Sequence, residues 1–151
     1  MPLDLFEEFK ALVLALDTKG IEHAVVGALA VAIHGAPRAT TDIDLLIEPA
    51  SLPSALEAAA AAGFTLAALP MKFRDGTEVQ RVTKIAAGEM LTLDYLLVNE
   101  SLAPVWASRI RLATEFGSVS VVSRDALIRM KVAAGRPRDL GDVESLTEVD
   151  R

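Results

Sequence analysis

Carboxylates and aliphatic side chains alternate in Asp42-Ile43-Asp44-Leu45-Leu46-Ile47, a pattern with few structural solutions. Successive Cβ atoms on a strand point to opposite faces, so the spacing predicts a strand over 42–47. Asp42 and Asp44 then share one face, and Ile43 and Leu45 share the other. Two carboxylates about 7 Å apart along a strand repel each other unless a cation sits between them. Hard oxygen ligands of this kind suit Mg²⁺, which is commonly held by one or two carboxylates together with substrate phosphates. Upstream, the apolar run over 21–26 ends in the small-residue turn Gly27-Ala28, and Arg38-Ala39-Thr40-Thr41 leads directly into the strand. The combination points to phosphoryl or nucleotidyl chemistry.

Composition narrows the setting. The chain of 151 residues is 52% apolar and 24% charged, which predicts one globular domain over 1–151 with a real core. Residues 123–151 are expected to form a C-terminal helical segment. No run approaches the ~18 uncharged apolar residues of a membrane span. The start MPLDLFEEFK lacks the basic opening of a secretory signal, so a cytoplasmic protein without membrane contact is expected. The absence of cysteine excludes disulfides and thiolate metal sites. A net charge of −6 argues against broad, sequence-independent nucleic-acid binding. It leaves room for a local basic site, and Lys72, Arg74, Arg81 and Lys84 make the middle of the chain locally basic.

Periodicity predicts the remaining elements. Leu3, Leu5, Phe6, Phe9, Leu12, Val13 and Leu16 follow helical spacing, with Asp4 as cap and Gly20 as stop. A short buried strand over 21–26 and a helix over 28–33 come next. After the 42–47 strand, Ser51 is expected to cap a helix through 56–62 that ends at Gly63. The stretch 64–69 reads as a weak strand, 71–76 as a loop, and 79–86 with 90–98 as a hairpin across Gly88. A helical turn over 101–108 carries Trp106. Strands over 110–113 and 119–122 bracket a turn, and helices over 125–134 and 139–146 close the chain, the first opened by Ser123. This order predicts an α/β (α+β) fold with a mixed, largely antiparallel sheet and helices mainly on one face.

These motifs carry a resemblance. A strand ending in Gly plus a small residue, a short helix, and then Arg-x-Thr-x-Asp-Ile-Asp resembles the nucleotidyltransferase fold of the polymerase-beta superfamily. The small bacterial nucleotidyltransferases of the abortive-infection and toxin–antitoxin type look closer still. The resemblance covers 27–47, 91–97 and 127–146. It implies a third carboxylate at Asp94, in LTLDYLL, as a metal ligand or as base for the attacking hydroxyl. It also matches Lys131, Arg136, Asp139 and Asp142 in LIRMKVAAGRPRDLGDVESL. The activity implied is metal-dependent transfer of a nucleoside monophosphate from an NTP to a hydroxyl of RNA or protein. Mg²⁺ or Mn²⁺ on Asp42, Asp44 and Asp94 would be the cofactor, and a cognate antitoxin protein a plausible partner. The expected nucleotide- and phosphate-binding residues are Gly27, Ala28, Arg38, Thr40, Lys131 and Arg136.

The residues support these transfers individually. The start of the helix after Gly27 offers free backbone N–H groups and a positive dipole end. Lys131 falls at helical spacing with Leu127 and Ile128 and could emerge at the edge of the core towards a triphosphate. Ala28 departs from the family's usual Gly-Gly or Gly-Ser, since alanine offers phosphate only its N–H. Plainer readings stand beside these. Asp-x-Asp alone is a weak signal, Asp94 can be an exposed residue of a polar face with Thr92, and Asp139 and Asp142 can be charges at a helix start. His23 and His34 read as structural. Two other functions fit parts of the pattern: a catalytically degenerate nucleotidyltransferase-fold module that binds nucleotide or protein, and a nucleotide-sugar site in a glycosyltransferase. The latter requires a mostly parallel sheet.

Overall fold

The first helix shows how local sequence sets the frame. In the computed structural model, which describes residues 3–36, 40–115 and 117–148, α1 spans Leu5–Thr18. The Asp4 carboxylate accepts from the backbone N–H groups of Phe6 and Glu7, so the helix starts where its cap stands. Phe9, Leu12 and Leu16 form its buried face. The chain then enters β1 (Ala24–Val26), turns into α2 (Gly27–Ile33), and returns as β2 (Asp42–Ile47). After α3 (Leu52–Ala61) come the short strands β3 (Leu66–Ala67) and β4 (Met71–Lys72). The long hairpin β5 (Glu78–Ala86) and β6 (Glu89–Leu97) leads to α4 (Ala103–Ala107). Strands β7 (Ile110–Thr114) and β8 (Gly117–Val121) precede α5 (Arg124–Ala134) and α6 (Pro137–Glu148).

The strands form one sheet in the order β3-β5-β6-β2-β1-β8-β7, with β4 also paired to β5. The pairs β2–β6 and β1–β8 are parallel and the others antiparallel. This is the mixed sheet expected, and its few parallel pairs exclude the doubly wound arrangement that a glycosyltransferase reading needs. The central strands bury almost everything apolar they carry: Val25, Ile43, Leu45, Leu46, Leu93 and Tyr95 are inaccessible to solvent. Tyr95 donates its hydroxyl hydrogen bond to the Ala55 carbonyl at 2.8 Å, tying α3 to the sheet. Among the described residues no helix is long and apolar enough to cross a membrane.

Several boundaries differ from expectation for identifiable reasons. The strand at 21–26 shortens to Ala24–Val26, because the Ile21 N–H is bonded to the end of α1 and its carbonyl meets His23 Nδ1. Ser51 makes no capping bond. It closes a 3₁₀ turn (Pro49–Ser51), and α3 starts at once at Leu52, where Pro53 fits the first turn. The weak strand at 64–69 retains only the two residues of β3. The expected loop at 71–76 contains β4, which folds back on β5 through a turn held by the Phe73 N–H on the Thr77 carbonyl. Strands of two residues are too short to show alternation, and here the long neighbour β5 supplies their hydrogen bonds.

Candidate active site

The site grows from one row across the sheet. In register, Val26 of β1 stands against Asp44 of β2, Asp44 against Asp94 of β6, and Asp94 against Arg81 of β5. The chain must leave β1 without a side chain at the next position. Gly27 has φ +70°, and a Cβ built there would collide with the Asp44 carboxylate and lie 3.0 Å from its Cγ. Glycine is therefore required twice, by conformation and by close approach. The Asp44 carboxylate thus lies against the start of α2, whose first turn holds the buried Ala28.

Crowding marks Asp44 electrostatically. Its carboxyl is pushed up to about 6, chiefly by burial and then by the negative charges of Asp94 and Asp42; Lys131 and Arg81 pull weakly the other way. Asp42 is exposed at the strand start, with its carboxylate near the Thr41 hydroxyl at 3.4 Å. Among the described residues neither Asp42 nor Asp44 has an ion-pair partner. Two hard carboxylates from one strand face, held close to like charge, fit a divalent cation chemically.

Asp94 is different. Both its oxygens accept from Arg81, Oδ1 from Nε at 2.9 Å and Oδ2 from Nη2 at 3.0 Å. The plainer alternative, an exposed position on a polar face, is not what forms: Asp94 is buried and paired. Among the described residues no group of three or more His, Asp or Glu side chains stands close enough together to hold a metal ion.

A second cluster faces Asp44 across a cavity of about 240 Å³ lined by Gly27, Asp44, Leu127, Lys131 and Arg136. Ser123 caps α5 by accepting from the Ala126 N–H, and the helix delivers Lys131 near its C-terminal end. Lys131 is not at the surface. It is buried, with its ammonium 3.0 Å from Asp142 and 3.4 Å from Asp139. Arg136 grips Asp139 through Nε at 2.6 Å and Nη2 at 3.1 Å, and this bonding holds the Asp139 carboxyl below the usual range. Asp139 and Asp142 are thus buried counter-ions, and Asp139 also accepts from the Arg136 N–H at 3.2 Å in the first turn of α6.

The structure brings Gly27, Ala28, Asp42, Asp44, Asp94, Lys131 and Arg136 to one end of the sheet. Thr40 is turned into the strand entrance, its hydroxyl 3.3 Å from both the N–H and the carbonyl of Asp42. Arg38 lies outside the described residues. The basic middle region is neutralised only in part, since Arg74 is exposed and Lys72 keeps a long, exposed contact. Lys84 pairs with Glu8 at 2.7 Å, Lys72 with Glu78 at 3.8 Å, and Arg81 with Asp94. The Arg81–Asp94 pair was open to prediction, because counting back along both strands from a two-residue turn at Ala87-Gly88 sets these two residues opposite each other.

Solved structures supply the comparison. The chain is similar to an antigenic nucleotidyltransferase-like protein from Paracoccidioides brasiliensis, at 19% identity and a TM-score of 0.60, over 97% of this chain and 78% of that one. The fold is the nucleotidyltransferase fold. A TM-score of 0.63 at 14% identity links the chain to ANT(2")-Ia, solved in complex with adenylyl-2"-tobramycin, over 96% of this chain and 92% of that one. The Thermotoga maritima protein TM1012, provisionally assigned as a nucleotidyltransferase, gives 0.64 at 13% identity with the same coverage. At these identities the likeness is one of fold. No protein-family model matches the chain, and no curated protein matches it.

Proposed function

We propose that the chain is a metal-dependent nucleotidyltransferase that moves a nucleoside monophosphate from an NTP to a hydroxyl of RNA or protein. The observation that carries this reading is Asp44, pressed over Gly27, displaced upward by burial and like charge, and facing the cavity that holds Lys131 and Arg136. Asp42 and Asp44 would hold Mg²⁺ or Mn²⁺, which supplies charge neutralisation at the phosphates and activation of the hydroxyl. The Gly27 and Ala28 N–H groups would receive phosphate oxygens, and Arg136 would present its exposed side to the triphosphate. Lys131 lines the same cavity from within its ion pairs. Arg38 and Thr40, on the approach to β2, would complete the phosphate contacts.

In the reaction the acceptor oxygen forms a bond to the α-phosphorus as the bond to the β-phosphate bridge breaks, and pyrophosphate leaves. The hydroxyl proton goes to a carboxylate. Asp94 is the carboxylate proposed for that role, since its two bonds to Arg81 count against it as a third metal ligand. The pairing of Arg81 and Lys84 within the fold removes part of the basic surface that favoured RNA, so a protein hydroxyl stands beside it as acceptor. A toxin held by a cognate antitoxin is the biological setting proposed, by analogy of sequence pattern alone.

The test is incubation with Mg²⁺ or Mn²⁺ and each α-labelled NTP, with total RNA and cell lysate present and Asp42→Ala alongside. Label on RNA or protein with the wild type only is the expected result. A second reading, a degenerate module that binds nucleotide or protein without turnover, is favoured by Ala28 and by the engagement of Asp94 with Arg81. Metal-dependent NTP binding with no transfer to any acceptor would select it.

A further inference from the structure

The hairpin register gives Arg81 a place in this site. It lies opposite Asp94, which lies opposite Asp44. Its guanidinium meets the carboxylate side-on through two nitrogens, a geometry that fixes the orientation of both groups. Resting on the nucleotidyltransferase reading, we propose that Arg81 is a resident cation on the third aspartate. The chain then holds one divalent ion, on Asp42 and Asp44, where three free carboxylates would share two.

Two observations carry this. First, both Asp94 oxygens are already bonded to a fixed positive charge, so a second divalent ion would have to approach a guanidinium in a partly buried site, where like charges repel strongly. The absence of any three-carboxylate group among the described residues agrees with that commitment. Second, a purely structural role explains little. Strands β5 and β6 are already joined at every position from Val79 to Ala86. The Arg81 side chain is 45% exposed, and a cross-strand pair with such a partner adds little to a ladder of that length. Burying an aspartate in the sheet for that purpose alone would cost more than it returns.

The test counts ions without requiring turnover. Mn²⁺ alone is titrated into the full chain at pH 8, and bound ions are counted by electron paramagnetic resonance, with circular dichroism melting to verify the fold. The proposal expects one Mn²⁺ per chain in wild type, one in Arg81→Lys, and two in Arg81→Ala. Arg81→Met, which keeps the aliphatic stem, should also give two and serves if the alanine variant melts early. Two ions in wild type, or one in folded Arg81→Ala and Arg81→Met, would overturn the role of Arg81 and leave the Asp42–Asp44 reading standing. No ion in wild type would overturn both.

Discussion

Two groups of carboxylates face each other across the cleft, and the fold treats them oppositely. On α6, Asp139 and Asp142 are buried with their counter-ions in place, Lys131 between them and Arg136 clamped on Asp139. On β2, Asp42 and Asp44 share a strand face with no ion-pair partner among the described residues, and Asp44 is driven up to about 6. Buried charge is expensive, and a protein selected only for stability would compensate both groups. The difference teaches where structure ends and chemistry begins: the α5–α6 network holds the helices together, while β2 keeps a charge deficit for something to fill.

The comparison can be broken first on the compensated side. Asp139→Ala removes the principal partner of Arg136 and one of the two carboxylates on Lys131, and should destabilise the fold by about 3–5 kcal/mol, read as a loss in urea midpoint. The β2 side should answer in the opposite currency. Asp42→Ala should lower nucleotidyl transfer at least about 100-fold while the melting temperature holds, as measured by labelled transfer and circular dichroism on one preparation.

Asp44 sharpens the contrast through pH. Its folded value lies above its unfolded one, so the native state binds the proton more tightly. The stability linked to it is fully present below the unfolded value and is lost as pH rises through about 6. Asp44→Asn should therefore be more stable than wild type at pH 8 by about 1–3 kcal/mol, taking about 1.4 kcal/mol for each unit of displacement. The gap should close near pH 4. A destabilised Asn variant at pH 8 would mean that the carboxylate is satisfied after all.

The smaller effect is at the turn. Gly27→Ala should cost about 1–2 kcal/mol from its positive φ, with an added part from collision with Asp44 that disappears in an Asp44→Ala background. A double-mutant cycle on melting temperature separates the two. Full additivity would show that the carboxylate does not press on the turn.

Much of this was legible in the sequence, and the exceptions share a cause. The β2 strand emerged whole from its alternation, α1 from its apolar spacing and Asp4 cap, and the β5–β6 hairpin from its turn. The sequence marks Gly27 as a turn, but its closeness to Asp44 depends on the β1–β2 register. Helical spacing alone makes Lys131 an emerging cation. Its burial depends on how α6 folds back, which no pattern within α5 reveals. Arg81 and Lys84 looked like a basic surface because charge counting along a chain cannot see Asp94 and Glu8 arriving from other elements. Lone strands such as β4 need a neighbour to exist at all.

The most direct measurement is the melting temperature of wild type and Asp44→Asn at pH 8, each with and without Mg²⁺ and an NTP. The account predicts that the variant melts higher than wild type in the absence of ligand. It also predicts that Mg²⁺ and NTP raise wild type but leave the variant where it was. Equal rises in both proteins would contradict the claim that the uncompensated charge on β2 is the cation and nucleotide site.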